Sequence, residues 1–137
     1  MSFGIGVALY ISSGALPGMA RQVGLSSPSE DHMLHPLGQF STSKAVAERC
    51  ASANPKLSKF LVTYSKLTDL VAVRLKAAHP DWTQEQLQHV FDLGAQFADE
   101  EVGQVVDRET CDSPQVKVAL QRFEVQADME PSDVLAQ

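Results

Sequence analysis

The sequence predicts an all-α fold: a small helical bundle built on an antiparallel helix hairpin, about 56–79 and 83–108, with shorter flanking helices and one disulfide. Three observations carry this expectation. Apolar residues between Lys56 and His79 recur in steps of three and four, the stripe of an amphipathic helix. A second stripe of the same period follows Pro80 after a strong helix-start signal. No strand-like alternation of useful length occurs anywhere in the chain.

Residues 1–20 carry no charged side chain, and Phe3 to Ile11 form a short apolar run followed by small residues at Leu16–Ala20. That is the length of a signal-peptide core with a cleavage region, although a basic flank is missing. Spanning a membrane as a helix takes roughly 20 apolar residues, and Gly4, Gly6, Ser12, Ser13, Gly14, Pro17 and Gly18 interrupt the run. The segment therefore reads as a signal peptide first and a membrane tether second. A buried or partner-covered N-terminal element is the plainer alternative.

Residues 21–43 show no sustained period and contain Gly24, Ser26-Ser27-Pro28-Ser29, His35-Pro36 and Gly38. These punctuators predict a loop or linker. A helical domain is expected over 44–126. It opens with a short helix from Lys44 to Ala53, capped by Ser43 and packed through Ala45, Val46 and Cys50. Asn54-Pro55 ends that helix, because the residue before proline is driven out of the α region.

The first long helix aligns Leu57, Phe60, Leu61, Tyr64, Leu67, Val71, Leu75 and Ala78, and Pro80 stops it. Thr83 and Gln86 have the capping-box spacing, while Trp82 and Leu87 occupy the hydrophobic-staple positions. This accounts for the single tryptophan without a ligand. Leu87, Val90, Phe91, Phe97, Ala98, Val102 and Val105 then continue to about Arg108. Phe60, Tyr64, Val71, Leu87, Phe91 and Phe97 are the expected hairpin core. Asp112-Ser113-Pro114 restarts a helix with a cap and a proline in its first turn, packed through Val116, Ala119, Leu120 and Phe123. Residues 127–137 read as an acidic C-terminal tail.

Cys50 and Cys111 lie too far apart in sequence for a CxxC redox motif, and neither has a second ligand at zinc-binding spacing. A lone distant pair fits one structural disulfide formed in an oxidising compartment, with two unrelated buried thiols as the alternative. Together with the N-terminus, the pair points to a periplasmic or secreted protein, or alternatively a membrane-associated one held through residues 1–20.

At 137 residues, with 44% hydrophobic and 20% charged side chains, the chain is one globular domain rather than a disordered or fibrous one. A net charge of -6 excludes a nucleic acid as partner, since such binding needs Lys and Arg to neutralise phosphates. The charge is unevenly placed. Residues 54–80 hold five basic side chains against one acid, and residues 81–112 hold nine acids against one base. Opposite charge favours pairing of the two long helices and leaves a surplus of acids on the second.

The sequence offers no catalytic residue. No serine sits in a nucleophile elbow, Cys50 has no flanking histidine, and no glycine loop precedes a helix in the manner of a phosphate cradle. No metal or other cofactor is expected either. Asp31-His32-Met33-Leu34-His35 runs directly into a proline, and Glu85 with His89 lacks the second histidine of a zinc helix. What remains is an interaction surface. Asp92, Asp99, Glu100 and Asp107 are the candidate partner-binding residues, set against the simpler reading of a solvated face. The expected function is that of a small extracytoplasmic, non-catalytic helical protein that binds another protein as an inhibitor, immunity-type protein, chaperone or adaptor. The alternatives are a membrane-tethered accessory subunit of an envelope complex and a small all-α enzyme with an unrecognised site.

Overall fold

A computed structural model describes residues 28–136, and these form five helices with no strand among them. They are α1 (Pro28–Cys50), α2 (Lys56–Ala78), α3 (Gln84–Glu109), α4 (Pro114–Ala127) and α5 (Pro131–Ala136). The predicted all-α bundle is present, as is the Cys50–Cys111 disulfide, with an S–S distance of 2.04 Å. Residues 1–20 and the first part of the expected linker lie outside the described residues.

The largest departure from expectation is α1. A loop was expected over 21–43 and a helix only from Lys44, yet one helix runs from Pro28 to Cys50. Its two prolines differ in cost. Pro28 opens the helix, where no amide donor is required. Pro36 removes one hydrogen bond, to the carbonyl of His32, at about 3 kcal/mol for a helix interior. Against that, Met33, Leu34, Leu37 and Phe40 are all buried, and each contributes about 1.5–3 kcal/mol. Tertiary burial therefore outweighs the local signal. Ser43, expected as a cap, lies mid-helix and is buried.

Helix α1 is the axle of the fold. Phe40 stacks on Phe60 at 5.6 Å, Ser41 Oγ meets Tyr64 Oη at 2.8 Å, and Glu30 meets His79 at 2.6 Å, so α2 runs antiparallel to α1. The N-terminal half of α3 joins the core around Met33 and Leu37, and its C-terminal half joins Ala45 and Val46. That sequence of contacts makes α3 parallel to α1. Helix α4 descends beside α2: Asn54 donates to Glu124 at 3.1 Å and Thr63 to the carbonyl of Ala127 at 3.4 Å. The connectivity is thus up-down-up-down. Helices α2 and α3 are antiparallel as expected but touch each other only slightly, because each packs mainly elsewhere and α3 lies chiefly on α1.

Two cores result. The first gathers Leu34, Leu37, Phe40, Phe60, Leu67, Val71, Leu75, Leu87, Val90 and Phe123. The second is built from smaller side chains, Ala45, Val46, Val102, Val105, Val116 and Ala119, with the cystine at its edge. Phe60, Val71 and Leu87 are buried as expected, whereas Tyr64, Phe91 and Phe97 are only partly buried at the rim of the first core.

The helix ends follow local chemistry. Gln86 N–H donates to Thr83 Oγ1 at 3.1 Å and Thr83 N–H donates to Gln86 Oε1 at 2.7 Å, completing the capping box. Ser113 accepts from Val116 N–H at 3.3 Å. Thr110, at the end of α3, has φ 67° and ψ 172°, a region populated almost entirely by glycine. The C-terminal segment is not a loose tail. Pro131, Val134 and Leu135 of α5 are buried, and Asp128 at the end of α4 binds both Lys56 and Lys59 at 2.9 and 2.7 Å. Six residues are too few to show a helical period in the sequence.

Candidate functional site

The 3.6-residue period of α3 sends its apolar stripe toward α1 and leaves the opposite side to solvent. Asp92 and Asp99 are seven residues apart, as are Glu100 and Asp107, so the four acids lie in two rows about 80° apart around the helix, and all four are exposed. At 1.5 Å per residue the four extend over about 22 Å. Glu101, the next acid in the sequence, points the other way and is buried.

The four acids are not equivalent. Asp99 Oδ1 accepts from Arg49 Nη1 of α1 at 2.7 Å, fifty residues away in sequence. That hydrogen bond, with the attraction between the charges, holds the Asp99 carboxyl below the usual carboxylate range and raises Arg49 above its ordinary value. The guanidinium reaches Asp99 by passing over Gly103, where a Cβ would lie 3.1 Å from Arg49 Nη2. A glycine in this helix costs about 1 kcal/mol relative to alanine, and the passage of Arg49 explains its presence. Asp107 also contributes to the field at Arg49.

Asp92 and Glu100 accept instead from neutral amides one turn earlier, Gln88 at 2.9 Å and Gln96 at 3.1 Å. These bonds orient the carboxylates and leave their charge intact. Among the described residues, Asp92, Glu100 and Asp107 have no ion-pair partner. The outer face of α3 therefore divides into a structural acid, Asp99, and three that make no salt bridge among the described residues. Sequence reasoning missed Arg49, since nothing local links it to a carboxylate on another helix.

Elsewhere, the histidines are dispersed. His79 stacks on Trp82 with ring centroids 4.0 Å apart while its Nε2 faces the buried Glu30, tying the start of α1 to the end of α2. Lys76 Nζ donates to the carbonyls of Pro80 and Trp82, which fixes the same corner. His35 faces Gln39 at 3.4 Å, and His32 and His89 are exposed. No three His, Cys, Asp or Glu side chains converge as metal ligands among the described residues. No described helix is long and apolar enough to cross a membrane. The chain matches no protein-family model, no curated protein and no solved structure.

Proposed function

We propose that the protein is a small extracytoplasmic, non-catalytic helical protein that binds another protein through the outer face of α3. The observation that carries this reading is the row of Asp92, Glu100 and Asp107, exposed along α3 and making no salt bridge among the described residues. Such a row steers a basic surface into contact, acting more on association rate than on the strength of the final complex. The Cys50–Cys111 bond supports an oxidising compartment.

The decisive experiment is capture of partners from the native host, followed by kinetics with a D92N/E100Q/D107N variant. Asp99 is left untouched because its neutralisation would break the tie to Arg49 and confuse stability with binding. At low salt the variant is expected to associate about tenfold more slowly or worse, and the difference is expected to shrink as salt shortens the reach of charge below about 10 Å. Equal association rates for variant and parent at low salt would refute the reading.

A further inference from the structure

Helix α2 turns its apolar stripe inward, yet its outer face is not uniformly polar. Val62 is 54% exposed, Val73 69% and Leu70 36%. Val62, Lys66, Asp69 and Val73 fall at intervals of four, three and four residues, so they form one row along the side of the helix that faces away from α1 and α4. Lys66, Asp69, Leu70 and Val73 also form one wall of an open groove of about 370 Å³, whose other wall is Glu130, Pro131 and Ser132 at the start of α5.

The row reads alike in both directions as apolar, charged, charged, apolar, with opposite charges at its two central positions. An element of this kind is complementary to itself when turned through a two-fold axis. We propose that a second copy of this chain docks here, α2 against α2 in antiparallel register, with the axis between Leu67 and Thr68. In that register Val62 of one copy lies opposite Val73 of the other. Lys66 lies opposite Asp69, and by symmetry this ion pair is made twice. Val62 of the second copy then meets the apolar end of the groove.

Two observations beyond spacing support the occupant. Among the described residues Lys66 and Asp69 have no ion-pair partner, even though they stand one turn apart on the same helix. The remaining cations of this basic helix are also largely occupied. Lys56 and Lys59 are bound to Asp128, Lys76 is held by backbone carbonyls, and Arg74 stands about a quarter-turn off the row. Asp128 offsets part of the charge of Lys56 and Lys59, whereas Lys76 keeps its charge and in this register stands opposite Lys59 of the other copy. This surface is distinct from the acidic face of α3, so dimerisation and partner binding do not compete.

The test is sedimentation equilibrium of the full chain from about 1 µM to about 1 mM, a range suited to a small interface. K66D alone, or D69K alone, places like charges opposite each other twice per dimer and is expected to raise the dissociation constant about tenfold or more. The K66D/D69K double variant restores opposite charges and is expected to dimerise like the parent. An equimolar mixture of the K66D and D69K chains is expected to form a mixed dimer in preference to either homodimer. All four positions are solvent-facing, and circular dichroism checks that each variant keeps its helices. A parent chain that stays monomeric across the range would overturn the proposal. So would a dimer indifferent to both single reversals, which would place its interface elsewhere, for example on residues 1–27.

Discussion

Breaking the Cys50–Cys111 bond is expected to cost the protein about 4 kcal/mol. The two cysteines are 61 positions apart, and closing a loop of that size removes about 14 cal/mol/K of chain entropy from the unfolded state, or about 4.3 kcal/mol at 25 °C. The native side has little with which to make up the loss. The second core, at whose edge the bond lies, rests on alanine and valine side chains, so it contributes less apolar area than the aromatic first core. With an unfolding entropy of about 2.1 cal/mol/K per residue, the melting temperature should fall by about 15 °C. Urea titrations of the oxidised parent, the reduced parent and a C50A/C111A variant provide the measurement, followed by helical circular dichroism and by the fluorescence of Trp82. The reduced forms should also show the steeper dependence on urea, because their unfolded chain is more expanded. A loss below about 1 kcal/mol with unchanged slope would refute the entropic reasoning and mean that the bond merely decorates a corner already held by packing.

Three other outcomes follow from the packing and charge. Phe60 is completely buried among Phe40, Tyr64 and Phe123, so Phe60→Ala is expected to cost about 3–5 kcal/mol. Phe91→Ala, at the partly buried rim, should cost clearly less in the same urea titration. Asp128 has its pKa lowered to about 2 by hydrogen bonds from Lys56 and Lys59. A depressed folded-state value means that its stabilisation is present above the ordinary aspartate range and is lost as pH falls from about 4 to about 2. Asp128→Asn should flatten that part of the stability–pH curve, and an unaltered curve would show the cluster to be energetically idle. Thr110→Gly should relieve backbone strain of about 1–3 kcal/mol, less up to about 1 kcal/mol for the freer unfolded chain. The variant should be the more stable one, and a destabilised variant would mean that the Thr110 hydroxyl, which accepts from Asp112 N–H at 3.3 Å, outweighs the strain.

What was legible in the sequence was local. The capping box at Thr83–Gln86 and the Ser113-Pro114 restart each lie within a few residues, the stripe of α2 repeats within one uninterrupted segment, and each was found where expected. Helix α1 was not legible over 28–43 because its Pro, Gly and Ser content argues locally against a helix. The burial that overrides this comes from the four other helices, α2, α3 and α4 above all. The same limit hid Arg49, whose partner Asp99 lies on another helix, and with it the distinction between the structural acid and the three that make no salt bridge. Helix α5 was missed for a related reason, since six residues are too short to show a period. Its anchors Val134 and Leu135 gain their meaning only against α2 and α1.

Because α1 is enclosed by helices that follow it in the chain, it is the first described element to be synthesised and the last that can be satisfied. Proline, glycine and three consecutive hydroxyl residues give it weak helicity of its own. Among the described residues, its apolar sides are covered by α2, α3 and α4, all of which emerge after it. Folding is therefore held back until nearly the whole chain is available, with long-range closure as the slow event. Throughout that interval Cys50 waits for a disulfide partner that lies sixty-one positions further along the chain.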